Sequence, residues 1–524
     1  MRALEAAAFG AGVSEAVLQE HAGHAVAEEV FKLVKPNERV VVLVGHGNNG
    51  RDGAVAAECL VRRGVPLDLV LAPRHAVTAE ELARLQALGT SVVTSFGIDA
   101  VLRGASVAID ALAGIGANGA LREPLASLAR QLNEARDTRL KVVALDIPSG
   151  IDPETGEVPG EAVWADYTVT LGGIKQGLLR FPAAERVGRL ISKTIGIPES
   201  AEADLPYGCL DIPELVRLVP PRPLDAHKYR FGRVLVVAGA DHFPGAAVLC
   251  SGGAARVGAG LVTLASTRDV RLNTVAHLPE VTYTTTDVRA ADGQQAARSL
   301  ESYLQSHASA VVGPGLGRGS ATTAFVAELL RLRPRERGLV IDADGLFALS
   351  EIREWWSLLG PNAVLTPHAG ELERLVGHEL GNDEPIWVQA GHLAQQWECV
   401  LVAKGPFTCI ANLDGRVDVW PRANPALATG GTGDVLAGVT GGLLAQGLER
   451  SAWDAGRLAV GVHGLAAERI VENRHWRTLL AGDLLTELPA VLGSLAGPRE
   501  PRCRRPSSRR FLRLADRCCR SGAG

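Results

Sequence analysis

Long apolar stretches are missing from this chain of 524 residues. No uninterrupted run approaches the roughly 18 apolar residues that a membrane-spanning helix needs, so no membrane partner is expected. The N-terminus lacks the basic, apolar and small-residue succession of a secretory signal. An excess of positive charge is missing as well. The 54 Lys and Arg stand against 58 Asp and Glu, a net charge of −4, which removes the electrostatic footprint of a nucleic-acid-binding body. The eight cysteines show no metal-ligand spacing. Cys59, Cys250, Cys399 and Cys409 lie among apolar residues, as reduced core thiols do, and a cytoplasmic location is expected. No short-period repeat is present.

What is there is the length of two domains or more, with a globular hydrophobic fraction of 47%. Both halves alternate short apolar runs with Ala-, Leu- and Arg-rich helical segments. That alternation predicts an α/β chain of two three-layer α/β/α domains. Periodicity breaks across 198–232, where Pro206, Pro213 and the Pro220, Pro221, Pro223 cluster fall, with a short helix expected over 211–218. The expected division is 1–212, 213–497 and an Arg-rich tail, 498–524. The tail carries Cys503, Cys518 and Cys519 and has no apolar face beyond Phe511, Leu512 and Leu514. A disordered segment is expected there, with an RNA or membrane contact, or an altered reading frame, as the alternatives.

The most informative stretch is 424–438, NPALATGGTGDVLAG. Gly430, Gly431 and Gly433 precede Asp434 and an apolar helical run. Glycines let backbone N–H groups turn toward an anion, and a helix starting there aims its unpaired amides at the same spot. A carboxylate beside such a cradle suits proton abstraction from a hydroxyl that attacks a phosphate. The simpler reading is a helix N-terminus capped by Asp434. Other loops follow apolar strands in the same half: KGPFT (404–408) after 399–403, TPHAGE (366–371) after Ala363–Leu365, GPGLGRG (313–319) after 310–312, and the end of VIDAD (340–344). Loops of this kind belong at the carboxyl edge of a mostly parallel sheet, where open α/β proteins bind ligands.

In the first half, VVVLVGHGNNGRD (40–52) reads as a strand, Val40–Val44, then a GxGxxG loop and a helix over 54–63. Taken alone this suggests a dinucleotide-binding oxidoreductase. Against that, the next strand, near 67–72, ends in Pro73 and Arg74 rather than an acidic residue for the ribose. Asn48, Asn49 and Asp52 offer side-chain oxygens and amides to a ligand or hard cation, or form a polar turn. Asp110 ends the strand Val107–Ala111, and GIGANGA (114–120) follows. Asp146 ends a strand within VVALDIPSGI (142–151), just ahead of Ser149.

The ordered series HKYRFGRVLVVAG, PGAAVL, GPGLG, DADGL, TPHAGE, KGPFT and NPALATGGTGD, from His227 onward, resembles the ribokinase-like dehydratase half of the NAD(P)H-hydrate repair enzymes. The resemblance implies phosphorylation and elimination of the 6-hydroxyl of hydrated NADH or NADPH (NADHX, NADPHX), with ADP as phosphoryl donor and Mg2+. It implies that Asp434 activates the hydroxyl, that Lys404, Gly405, Pro406, Phe407, Thr408 and Gly433 hold the adenine nucleotide, and that Ala246, Gly315, His368 and Asp434 line the hydrate pocket. The first half, with its opening MRALEAAAFGAGV and LQEHAGHAVAE, resembles the epimerase domain of the same repair system. There the resemblance implies a potassium ion on Asn49, Asp110 and Ser149. It implies a hydrated nucleotide on Asn48, Asn49, Gly50, Arg51, Asp52, Gly114, Ile115, Gly116, Ala117, Asn118, Gly119, Ala120 and Asp146, with Asp146 the candidate acid/base. Departures from the family pattern are Arg51 where glycine is common, His21 where asparagine is frequent, Leu427 where methionine is common, and the loop 239–246, which lacks a frequent serine. The expectation is a bifunctional, Rossmann-like plus ribokinase-like enzyme, a homo-oligomer with NADHX, NADPHX and ADP as small-molecule partners. The competing reading is a vitamin-type alcohol kinase fused to a non-catalytic nucleotide-binding module.

Overall fold

The structure, a computed structural model, describes residues 2–93, 98–117, 119–136, 139–198, 201, 205–289, 292–381, 384–447 and 451–496. Asn118 and the Arg-rich tail 498–524 lie outside the described residues.

The first sheet has seven strands: β1 (Val40–Val44), β2 (Leu67–Leu71), β3 (Ser91–Val93), β4 (Val107–Ala111), β5 (Lys141–Leu145), β6 (Tyr167–Leu171) and β7 (Arg189–Lys193). Their order is β3-β2-β1-β4-β5-β6-β7, and every pair is parallel. All five residues of β1 are buried, as a central parallel strand covered on both faces requires. Its side chains alternate between two cores. Val40, Val42 and Val44 pack with the helices Glu15–Leu33 and Asn48–Arg62, while Val41 and Leu43 pack with Ile98–Gly104 and Leu125–Ala135. The helix after β1 starts at Asn48 rather than near 54, so residues 48–52, read from sequence as a loop, form its first turn behind Gly47 at φ 85°.

The second sheet has ten strands: β8 (Tyr207–Cys209), β9 (Arg233–Val237), β10 (Leu261–Ser266), β11 (Thr282–Thr285), β12 (Ser309–Val312), β13 (Gly338–Ile341), β14 (Ala363–Leu365), β15 (Val400–Ala403), β16 (Cys409–Ala411) and β17 (Val417–Val419). The order is β11-β10-β9-β12-β13-β14-β15-β16-β17-β8, parallel from β11 through β15 and antiparallel on both sides of β16. Strand β8 pairs with β17. It lies ahead of the boundary expected at 212, yet it hydrogen-bonds into the second sheet. Position in the chain does not reveal which edge a short strand joins. The expected short helix forms at Ile212–Leu218, with the Asp211 carboxylate accepting from the Glu214 N–H at 2.7 Å. Arg457 ties that helix to the sheet by pairing with Glu214 and, at 2.5 Å, with Asp418 of β17.

Cys250, Cys399 and Cys409 are buried free thiols, and Cys59 is half-buried. Burial pushes the Cys399 and Cys409 thiols up to about 12, so both are inert. Among the described residues no helix is long and apolar enough to cross a membrane.

A close helix crossing positions the second sheet's edge. Helix Pro244–Arg256 meets helix Thr432–Gln446 backbone to backbone. A Cβ on Gly438 would lie 1.9 Å from the Cys250 carbonyl oxygen, and one on Gly253 would lie 2.6 Å from that of Val435. Gly438→Ala gains about 1 kcal/mol of helix propensity but forces two backbones apart, an overpacking cost of about 1–3 kcal/mol. The expected net outcome is a lower urea midpoint, and an unchanged midpoint would show that the crossing yields freely.

Candidate active sites

In a parallel sheet the strand carboxyl ends and the following helix N-termini share one edge. Open α/β proteins bind ligands in a crevice along that edge, near where the strand order reverses, between β1 and β4 in the first sheet and between β9 and β12 in the second.

At the second crevice, Asp342 follows β13 and is 1% exposed. Its Oδ1 accepts from Thr366 Oγ1 at 2.8 Å and from Lys404 Nζ at 2.7 Å. Lys404 follows β15, and its Nζ also stands 3.9 Å from Glu371. Burial disfavours this ammonium, but Asp342 and Glu371 outweigh it and hold Lys404 above the ordinary lysine value. Gly431, at φ 91°, is the N-cap of helix Thr432–Gln446, and Asp434 lies in the first turn. The capping reading of Asp434 is therefore corrected. The cap is a glycine, whose left-handed backbone a side chain would strain, and among the described residues no hydrogen-bond donor reaches the Asp434 carboxylate. Burial, then the nearby Asp342 charge, raises this carboxyl to about 7 despite the counter-pull of Lys404. A Cβ on Gly433 would lie 3.3 Å from Lys404 Nζ and 3.8 Å from Asp342 Oδ2. Lysine, aspartates and helix amides thus converge on one spot. Beneath it the buried His463 ring contacts the Thr432 carbonyl oxygen at 3.0 Å, and burial takes that ring down to about 4, which keeps it neutral.

The other residues expected here reach the same edge by different routes. Gly315, at φ 64°, lies so near Ala246 that a Cβ there would be 2.8 Å from the alanine Cβ. His368 is exposed and caps helix Ala369–Val376, exchanging hydrogen bonds with Glu371. Gly405 and Pro406 are exposed in a turn closed by Thr408 Oγ1, 3.2 Å from the Gly405 carbonyl oxygen. The Phe407 ring faces Phe181 of the first half, with centroids 6.2 Å apart.

At the first crevice, Asp110 of β4 is fully buried. It accepts from the Ser149 hydroxyl at 2.6 Å, the Ser149 N–H at 2.8 Å and the Leu112 N–H at 3.2 Å. Burial outweighs these donors and raises the carboxyl to about 6, and no cationic side chain contributes. Asn49 is buried in the first turn of its helix, its Nδ2 lacks a hydrogen-bond partner, and its side chain lies against Gly114. A fully buried carboxylate without a positive partner, with the Ser149 hydroxyl oxygen against it, is an oxygen set that fits a hard cation. Asn48 Nδ2 donates to Glu15 at 3.3 Å. Gly50 is buried, Asp52 half-buried and Arg51 exposed; Gly116, Ala117, Gly119 and Ala120 form an exposed rim, and Ile115 packs against the core beneath. Asp146 follows β5 at φ 67°, a strained backbone for a non-glycine residue, and its carboxylate pairs with the buried Lys175.

Two family models match the chain: "YjeF-related protein N-terminus" over residues 15–177 and "NAD(P)H-hydrate dehydratase" over residues 234–490. A bifunctional NAD(P)H-hydrate repair enzyme of Thermofilum pendens is 36% identical, over 92% of this chain and 93% of its own length. Its counterpart in Moorella thermoacetica is 35% identical, over 91% and 92%. The chain belongs to the bifunctional NAD(P)H-hydrate repair enzyme family. A ribokinase-like superfamily protein of Enterococcus faecalis has the fold of the second half, with a TM-score of 0.50 and 24% identity over 56% of this chain and 98% of its own.

Four residues of this repair-enzyme chain escaped the sequence reading as site components: Lys175, Asp342, Glu371 and His463. Lys175 comes four residues after β6, behind two glycines and Ile174, whereas Lys404 directly follows its strand and precedes a glycine; a lysine just past a buried strand was the shared signal. His463, in the middle of a helix, carried none.

Because Lys404 draws the Asp434 carboxyl down, Lys404→Met is expected to move its titration above about 7. Carbon-13 NMR of aspartate side chains checks this, and a midpoint that stays or falls would separate the two groups electrostatically.

Proposed function

We propose that this chain repairs hydrated NADH and NADPH. In this reading the first crevice interconverts the R and S epimers, and the second dehydrates the S epimer with ADP. The observation that carries the proposal is the Asp434 carboxylate at a glycine-opened helix N-terminus beside Lys404, with no hydrogen bond among the described residues and raised by burial to about 7. A base titrating near neutrality is matched to taking a proton from a hydroxyl. Asp434 takes the 6-hydroxyl proton as that oxygen attacks the terminal phosphorus of ADP. The helix amides and Lys404 offset the charge that gathers on the phosphoryl oxygens. AMP leaves, and elimination of the phosphate from C6 with a proton from the neighbouring ring carbon, released to solvent, then regenerates the dihydronicotinamide. Gly433 and the turn from Lys404 through Gly405, Pro406 and Phe407 to Thr408 hold the nucleotide, while Ala246, Gly315 and His368 line the hydrate pocket. Among the described residues no group of three or more His, Cys, Asp and Glu stands ready to hold a metal ion. Mg2+ fits here as an ion carried on the nucleotide phosphates, neutralising their charge.

In the first crevice, Asn49, Asp110 and Ser149 would hold potassium, whose charge would compensate the buried Asp110. The helix turn from Asn48 and Asn49 through Gly50 and Arg51 to Asp52, with the rim of Gly114, Ile115, Gly116, Ala117, Gly119 and Ala120, binds the hydrated nucleotide. Asp146 moves the proton. We place the division between the activities ahead of Tyr207; the pairing of β8 with β17 supports it. One chain with both crevices leaves neither epimer stranded, and the freely diffusing S epimer suffices to link them.

Supplied with mixed epimers and ADP, or ATP, the protein is expected to restore the full reduced-nicotinamide absorbance. A plateau at the S fraction would mean an inert first half. No recovery, together with phosphorylation of a pyrimidine or thiazole alcohol, would instead favour the vitamin-type kinase. Asp434→Asn should lower S-epimer dehydration by at least about 100-fold and leave nucleotide binding intact. A base works ionised, so kcat/KM for dehydration should rise with pH through about 7 and then level; a profile that falls across that range would remove Asp434 from this role.

A further inference from the structure

We propose that Lys175 is the positioning residue of the first crevice: it fixes one oxygen of the Asp146 carboxylate so that the other faces the substrate as acid and base. The proposal rests on the reading of Asp146 as the proton carrier.

Three donors converge on Asp146 Oδ1: Lys175 Nζ, the Leu171 N–H at 3.0 Å and Thr170 Oγ1 at 3.4 Å. Among the described residues none reaches Oδ2. A carboxylate held this way cannot rotate, and one lone-pair set stays open to the crevice. The backbone is anchored from the same strand, because the Asp146 N–H donates to the Val169 carbonyl oxygen at 2.8 Å. Residue 146 is thereby held in its left-handed conformation at φ 67°.

Lys175 itself has nothing left to offer a ligand. An ammonium carries three hydrogens. Here they are met by Asp146 Oδ1, the Leu171 carbonyl oxygen at 2.8 Å and Thr170 Oγ1 at 3.2 Å, in a residue only 8% exposed. A lysine meant for a substrate phosphate would keep a hydrogen free and its head in the crevice. This one is spent on the carboxylate and on the strand end that also donates to it, so it acts through Asp146.

The test uses the full chain and the R epimer, following its loss by chromatography above the spontaneous rate. Lys175→Met and Lys175→Gln are expected to lower the epimerisation kcat by about 100-fold, the scale of a misaligned catalytic group, and to leave KM within about twofold. S-epimer dehydration by the same preparations should be unchanged, and circular dichroism and thermal melts report whether the first half remains folded. A folded variant that keeps kcat within twofold, or whose whole loss lies in KM, overturns the proposal. So does failure of both variants to fold, which would make Lys175 a structural staple. Asp146→Asn run alongside keeps the two readings apart. If it epimerises at the normal rate, the reading of Asp146 fails; if it loses activity while the Lys175 variants keep theirs, only the positioning role fails.

Discussion

Parallel strand pairing is the constraint on which both sites depend. Each βαβ step returns the chain to the same end of the sheet, so every strand delivers its carboxyl end, and every following helix its free amides, to one edge. Asp110 near the end of β4, Asp146 after β5, Asp342 after β13 and Lys404 after β15 are far apart in sequence, and register brings each set together. Glycines at the crossing of helices Pro244–Arg256 and Thr432–Gln446 let the helix that carries Asp434 pack backbone to backbone on its neighbour.

The two crevices solve the same electrostatic problem. Each must keep carboxylates out of water without neutralising them. A buried charge is tolerated when paired and hydrogen-bonded. Lys404 serves Asp342, Glu371 and, more weakly, Asp434; Lys175 serves Asp146. Asp434 makes no hydrogen bond among the described residues, and burial with the Asp342 charge raises its carboxyl to about 7. Asp110 has hydrogen bonds, and no cationic side chain among the described residues pairs with it.

Much of this was legible in advance. The strands Val40–Val44, Val107–Ala111 and Ala363–Leu365 match the runs read from sequence residue for residue, because buried parallel strands are short, largely apolar stretches. The helix start at Asn48 was misjudged, since the glycines and asparagines that cap a helix are also loop formers. The pairing of β8 with β17 was invisible, because three residues at an edge carry no periodic signal.

By itself the sequence determined the alternation of strands and helices, the two halves, and the glycine-and-carboxylate motifs that strand ends display. These are local properties, written in periodicity and in what each residue lets the backbone do. Tertiary structure alone decided which carboxylate is compensated and which is left to titrate, that the hydrogens of Lys175 are spent, and that Asp434 is not its helix's cap. Those outcomes turn on distances and burial between residues remote in the chain, and a pKa or a hydrogen bond exists only once the fold has set them.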